Sequence, residues 1–326
     1  MTLLALYVRM LRYRVALMMW MFMLLAVAKH GALQRMPLGA VLAAVALGSS
    51  YVGATTANDI ADKEIDLVNH PRDRGRPLVS GDADERALWI VHGAGNLAAL
   101  AASAALGRWA VGVALVSIAI SYAYSIRPVR LSYRTYLAPA ILAAAYVLVP
   151  YAFGLIVVGA SPTRNDLPFA GSLYVLFIAR IVLKDFRDRD GDAMYGKPTL
   201  LLRFRKVAVC RTSLAALLTW NVLFLVAIRP PLGFAVIVEA FVVAIWWQLR
   251  TLEQIDDRRG EQIAIGIGAR MGNGMLITLL SWLALTSQAA PLAHRIGFCA
   301  FLLVVFGTNY LSLARHPQDA LIGYKG

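Results

Sequence analysis

The chain has 326 residues, 59% of them hydrophobic and 16% charged, with a mean hydropathy of +0.63 and a net charge of +13. Soluble domains carry roughly 25% charged residues, so an ordinary soluble fold is excluded, and no polar connection is long enough to hide one. The basic excess would suit a nucleic-acid partner, but its distribution assigns it to membrane topology, and nucleic acid is not an expected partner.

The first apolar segment, 10–29, follows a basic flank at Arg9, Arg12 and Arg14. No small-residue cleavage site follows it, so it reads as a retained span and not a signal peptide. Further segments of membrane length lie at 37–57, 87–107, 109–126, 136–159, 168–183, 207–228, 231–249, 271–290 and 296–313. A bilayer core needs about 20 apolar residues per helical span, and these segments lack the short alternation of barrel strands. The ninth is the weakest, because "GIGARMGNG" (266–274) holds a charge and four glycines. The expected fold is all-α: a polytopic transmembrane bundle of nine or ten spans, forming a single domain over 1–326 and embedded in membrane lipid.

Alternating the ten segments across the bilayer places 24 of the 32 Lys and Arg residues on the side of the N-terminus and six on the other, with Arg180 and Arg211 inside spans. This asymmetry predicts an integral, multi-pass protein of the cell membrane with its N-terminus and the mouth of its site on the cytoplasmic side. Cys210 and Cys299 are too few for a disulfide framework or a thiolate site and read as small buried apolar residues.

Two acidic stretches stand at the cytoplasmic ends of spans: "NDIADKEID" (58–66) and "KDFRDRDGD" (184–192). At about 100° per residue, Asn58, Asp62 and Asp66 lie within about 80° of one another on a helix, with Asp59 nearby. Asp185, Asp188 and Asp192, at i, i+3 and i+7, also share a face. Such sets of hard oxygen ligands suit Mg²⁺, which takes one or two carboxylates per ion, keeps several waters and accepts phosphate oxygens. Two such helices facing each other would hold a diphosphate through bridging ions. A single acidic cluster at a helix end is ordinarily just solvated. The repeat weakens that reading, because clustered carboxylates oppose one another's ionisation unless a cation neutralises them. A calcium loop starting at Asp188 fails, since its sixth position is Ala193 and its twelfth Thr199.

The loop after the first motif, "NHPRDRGRPLVSG" (69–81), carries Arg72, Arg74 and Arg76, and "YAYSIRPVRLSYR" (122–134) adds Tyr124, Arg127 and Arg130 at the same membrane face. Guanidinium groups match phosphate oxygens in bidentate geometry, although positive-inside charge alone would also place basic residues here.

These motifs resemble the UbiA superfamily of intramembrane prenyltransferases. "NDIADKEID" matches its NDxxDxxxD motif, the R-P-L-x-S-G segment that follows is typical, and "DFRDRDGDAMYGKPTL" is similar to its second aspartate motif. The resemblance runs from the first span to about residue 205. It implies a bundle, commonly of nine spans, around a chamber capped on the cytoplasmic side. It further implies that Asn58, Asp62 and Asp66 bind one Mg²⁺ and Asp188 with Asp192 a second, supported by Asp59 and Asp185. Arg72 and Arg76 would hold the diphosphate, with Lys184, Tyr124 and Arg127 also on the substrate.

The implied reaction ionises an allylic isoprenyl diphosphate donor, with Mg²⁺ and Arg neutralising the leaving group, and an aromatic or other lipid-precursor acceptor captures the cation. Tyr146, Tyr151, Phe153, Tyr174 and Phe177 are aromatic faces that could stabilise it, or else ordinary bundle packing. Arg180, inside a span where charge is costly, either binds an acidic group of the acceptor or pairs with a motif carboxylate. Glu239, His92 and Asn96 read as interhelical hydrogen-bond partners. The second motif and "YS" loop are most similar to the branches making chlorophyll, tocopherol-type quinones and archaeal ether lipids, without fixing an acceptor. A terpene cyclase of the same fold is the alternative. A transporter is the distant one, since coupling acids would sit near the midplane in interrupted helices and these sit at helix ends.

Overall fold

The computed structural model describes residues 1–34, 37–71, 73 and 75–321. Its helices are α1 (Leu3–Met10), α2 (Tyr13–Lys29), α3 (Pro37–Ala61), α4 (Lys63–Asn69), α5 (Pro77–Ser80), α6 (Glu85–Leu106), α7 (Arg108–Ser125), α8 (Leu137–Ala143), α9 (Val149–Val157), α10 (Asp166–Ile181), α11 (Asp185–Met194), α12 (Leu200–Arg203), α13 (Lys206–Ile228), α14 (Leu232–Gln254), α15 (Arg258–Ser287) and α16 (Leu292–Arg315). No strand occurs among the described residues. Nine helical segments among them are long and apolar enough to cross a bilayer, and α1 with α2, bent by 56°, make a tenth if read as one broken span. The chain is an integral membrane protein of all-α architecture, as its composition requires.

The chain divides into two compact units, each assembled from separated stretches. One comprises Met1–Val27, Gln34–Ser161 and Asp188–Arg203; the other comprises Ala28–Leu33, Pro162–Arg187 and Phe204 onward.

In the first unit the organising contact is α3 against α6. Apolar side chains gain little by exchanging lipid for protein, so membrane helices associate through close van der Waals contact between small residues and through interhelical hydrogen bonds. Helix α3 supplies the small residues. A Cβ on Gly53 would stand 2.3 Å from Asn96 Oδ1, and one on Gly95 would stand 2.9 Å from the Ser49 carbonyl, so the two backbones nearly touch. His92 Nδ1 meets the Gly53 carbonyl of α3 at 2.9 Å, the interhelical role expected of it, whereas Asn96 Nδ2 meets His92 Nε2 at 3.0 Å within α6 itself. Gly154 brings α9 against α2 in the same way, its Cβ position lying 2.5 Å from the Met23 carbonyl.

The first span is not continuous as the sequence predicts. The helix breaks between Met10 and Tyr13, with Arg12 in the left-handed region at φ 42°. Thr55 Oγ1 donates to the Met10 carbonyl at 2.9 Å, satisfying an acceptor that the break exposes. Helix α1 buries Leu6 and Met10 against Val52, Leu88 and Val91. Between α8 and α9 the chain makes a π-turn, Ala144–Leu148. Pro150 follows it and has no N–H to donate, and such widened turns relieve an interrupted helical ladder. Tyr146, within the π-turn, meets Tyr51 edge to face at 5.9 Å.

In the second unit α10 packs on α13 and α15 packs between α14 and α16. Trp220, Phe224, Phe234 and Trp282 form a ring column with successive centroids at 5.3, 6.4 and 4.2 Å. Asn221 Nδ2 donates to Glu239 at 3.0 Å, so Glu239 is an interhelical partner as expected. The weakest predicted span is in fact a 30-residue helix, α15, that runs through "GIGARMGNG" unbroken. One of its glycines serves close packing: a Cβ on Gly274 would stand 2.6 Å from the Phe306 ring. Arg270 Nη2 donates to the Asp319 carbonyl at 2.9 Å. Cys210 and Cys299 are buried and free.

Candidate active site

The first acidic motif straddles a helix boundary. α3 ends at Ala61, and Asp62, at φ −108° and ψ 17°, turns the chain into α4. The amides of Asp62, Asp66 and His70 nevertheless donate to the carbonyls of Asn58, Asp62 and Asp66, each at 2.8 Å. The i to i−4 ladder thus survives the break and keeps Asn58, Asp62 and Asp66 in line. Asp59, Asp62 and Asp66 are 2%, 5% and 5% exposed, far too buried for a solvated loop end.

Helix α11 approaches this line through Gly191. A Cβ there would stand 2.5 Å from the Ile65 carbonyl and 2.7 Å from Asn69 Nδ2, so no larger residue fits without displacement. The Gly191 amide donates to Asn69 Oδ1 at 2.7 Å, and His70 Nε2 meets Asp188 Oδ1 at 3.0 Å. Lys197 Nζ donates to Asp62 Oδ2 at 2.9 Å and lies 3.6 Å from Asp192 Oδ1. The first motif and the Asp188 and Asp192 end of the second therefore occupy one site within the first unit.

Basic side chains surround the acids. Arg12 Nη2 donates to both oxygens of Asp59, at 2.7 and 2.6 Å. Arg76 Nη1 donates to Asp66 Oδ2 and, at 3.5 Å, to Asp59 Oδ1. Arg130, also in the left-handed region at φ 39°, donates from Nη2 to Asp62 Oδ1 at 3.1 Å and to the Ala61 carbonyl at 2.9 Å. Its guanidinium lies 4.0 Å from the Tyr133 ring centroid. Asn58 Nδ2 donates to Asp62 Oδ2 at 3.2 Å. Burial pushes the Asp66 carboxyl up to about 7, and the charges of Asp59, Asp62 and Asp188 act in the same direction against the opposing pull of Arg76.

The remaining predicted residues are distributed differently. Arg72 lies outside the described residues. Tyr124 is buried near the end of α7, whereas Arg127 is exposed and Arg130 is the arginine of that loop that reaches the acids. Asp185 (7% exposed), Lys184, in a 3₁₀ turn, and Arg180 belong to the second unit, where Arg180 Nη1 donates to Asn273 Oδ1 at 2.6 Å. Tyr151 and Phe153 are buried in the first unit and Phe177 in the second. Sequence reading missed Arg12, His70, Tyr133 and Lys197 as site residues. Arg12 was hidden among topological charges, and Lys197 was visible only as part of "YGKPTL" after the second motif.

Among the described residues, no three His, Cys, Asp or Glu side chains converge as a ready-made metal cage. The donor chemistry nonetheless fits Mg²⁺. Asn58, Asp62, Asp66, Asp188 and Asp192 are hard oxygen donors, and an ion that keeps its waters and takes phosphate oxygens needs only one or two of them.

The sequence profile of the UbiA prenyltransferase family matches residues 15–273. The bacteriochlorophyll synthase 33 kDa chain of Rhodobacter capsulatus is 27% identical over 70% of this chain and 78% of its own length. Homogentisate phytyltransferase of Synechocystis is 33% identical over 55% of this chain and 58% of its own, and digeranylgeranylglyceryl phosphate synthase of Methanopyrus kandleri is 30% identical over 55% and 63%. Among solved structures, one concerned with digeranylgeranylglyceryl phosphate synthase in membranes has a TM-score of 0.66 at 15% identity, covering 87% of this chain and 99% of that one. A UbiA homologue from Archaeoglobus fulgidus bound to DMAPP and Mg²⁺ has a TM-score of 0.59 at 18% identity, covering 94% and 99%. The fold, the paired acid motifs and the extent of the profile match together place this chain in the UbiA prenyltransferase family.

Proposed function

We propose that this chain, acting as one domain over 1–326, transfers an isoprenyl group from an allylic diphosphate to an aromatic or other lipid-precursor acceptor, with Mg²⁺ as cofactor. The observation that carries this reading is the junction of the two acid motifs, spanned by Lys197 between Asp62 and Asp192 and ringed by Arg12, Arg76 and Arg130. That arrangement is one of buried, mutually neutralised charge, which a diphosphate and its counter-ions can enter by exchange of partners.

Asn58, Asp62 and Asp66 would hold one Mg²⁺ and Asp188 with Asp192 another, with Asp59 and Asp185 alongside. The ions supply neutralisation of charge developing on the leaving diphosphate. The chain's own residues do the rest. Arg76, Arg72 and Lys184 bind diphosphate oxygens, and guanidinium keeps its charge throughout. Tyr124 and Arg127 flank the donor. Arg12 and Arg130, already within hydrogen-bond reach of Asp59 and Asp62, orient those carboxylates. The apolar interior of the spans excludes water from the allylic cation, and Arg180 is assigned to an acidic group on the acceptor. The site opens to the cytoplasm, the side on which the basic residues concentrate.

The test is incubation of the lipid-embedded protein with geranyl, farnesyl and geranylgeranyl diphosphates and Mg²⁺, with and without a phenolic acceptor panel, followed by mass spectrometry. Acceptor-dependent adducts are expected. Cyclic hydrocarbons or alcohols formed without acceptor would identify a cyclase, and diphosphate release that persists in EDTA would overturn the metal assignment. An Arg180→Gln variant that keeps the wild-type acceptor KM would remove the role given to Arg180.

A further inference from the structure

Asn69 and His70 lie three and four residues beyond Asp66, the last acid of the first motif, and carry no role in the reaction described above. Both reach the second motif. Asn69 accepts from the Gly191 amide at 2.7 Å, and His70 Nε2 meets Asp188 Oδ1 at 3.0 Å. The contact with Gly191 fixes which way the Asn69 amide faces, because a backbone N–H requires an acceptor and only Oδ1 provides one. Between these two points the helices are in backbone contact, the Gly191 Cβ position lying 2.5 Å from the Ile65 carbonyl. Three independent contacts thus bear on the four residues 188–191, and all three originate on α4 or the residue following it.

We infer that Asn69 and His70 form a clasp that sets the spacing of the two acid motifs, and that His70 is the positioning residue for Asp188. The inference rests on the reading of those carboxylates as a divalent-cation and diphosphate site. The physical reason is orientation. Asp188 is partly exposed, unlike Asp62, Asp66 and Asp192, so packing restrains it least, and a hydrogen bond to one oxygen selects the rotamer that directs the other. A carboxylate held in this way loses less freedom when it takes up an ion. Partners that orient metal ligands are worth about 10–100-fold in metal affinity. The backbone contacts at Gly191 and Asn69 fix the helix, and His70 fixes the side chain on it.

The experiment uses Mn²⁺ as probe, titrated into the full-length protein in lipid nanodiscs with inorganic diphosphate present, and reads free Mn²⁺ by its electron paramagnetic resonance signal. The wild type is expected to bind two ions. His70→Ala is expected to weaken one of them by about 10-fold or more and leave the other unchanged, while His70→Gln, whose amide can still reach Asp188, restores most of the loss. In an Asp188→Asn background, His70→Ala is expected to add nothing further. Wild-type affinity for both ions in His70→Ala overturns the clasp, and so does an additive loss in the double variant. A merely structural His70 would lower the thermal midpoint of both variants without changing the affinity of the folded fraction. A wild type that binds no Mn²⁺ overturns the cation-site reading itself, which separates the two failures.

Discussion

Replacing Lys197 by Met tests whether the acid cluster depends on its internal cations. The Lys197 side chain is 9% exposed and touches Asp62 and Asp192, themselves 6% and 3% exposed at the side chain. Removing one partner from a buried pair leaves an uncompensated charge and costs about 3–5 kcal/mol. Asp62 retains Arg130 at 3.1 Å, so the lower end applies, about 3 kcal/mol. At about 2–4 °C per kcal/mol for chains of 150–250 residues, a longer chain sits at the small end of that range, and a fall in Tm of roughly 6 °C is expected in EDTA. Under the proposed function a divalent cation with diphosphate would neutralise the same carboxylates, so saturating both should narrow the gap between variant and wild type. Differential scanning fluorimetry in detergent and in nanodiscs reads both quantities. An unchanged Tm in EDTA, or a gap that Mg²⁺ and diphosphate widen, would refute the reasoning.

Asp62→Ala and Asp188→Ala are each expected to reduce turnover by at least about 100-fold with saturating Mg²⁺, as loss of a transition-state electrostatic contact does; normal turnover in either variant would remove that residue from the metal set. Gly191→Ala inserts a methyl where the nearest backbone oxygen lies at 2.5 Å, and the resulting overpacking is expected to cost about 1–3 kcal/mol, read as a lowered Tm. The raised Asp66 carboxyl also gives a pH signature. Its folded-state value of about 7 exceeds the ordinary 3.8, so above the ordinary value the unfolded chain binds fewer protons than the folded one, and stability falls as pH rises from about 4 through 7. In EDTA the wild-type Tm should therefore decline between pH 5 and 8, with Asp66→Asn showing a shallower decline; equal slopes would contradict the assignment.

The spans and the two acid motifs were legible because each is written locally. Hydropathy over about 20 residues reports a bilayer crossing, and helical spacing reports which acids share a face. Two polar partners within spans were legible for the same reason: in lipid His92 and Glu239 have few alternatives to a group on the facing helix, while Asn96 bonds to His92 on its own helix. Local reading misjudged the two places where glycine or charge has a tertiary purpose. The glycines of 266–274 look like helix breakers but sit in an unbroken α15, one of them giving room to Phe306. The segment from residue 10 looks continuous but breaks at Arg12, whose guanidinium is committed to Asp59.

By itself, the sequence determined that this chain crosses the membrane many times, that its basic residues concentrate on one side, and that two sets of oxygen ligands stand at helix ends there. Those properties depend on composition and on spacing within one element. Only the tertiary structure decided which basic group faces which acid: Arg12 with Asp59, Arg76 with Asp66, Arg130 and Lys197 with Asp62, and His70 with Asp188. Those partners are separated by 10 to 135 positions along the chain. Their pairing follows from close helix contacts at glycines such as Gly191 and Gly53, where the missing side chain matters only once the opposing backbone is in place.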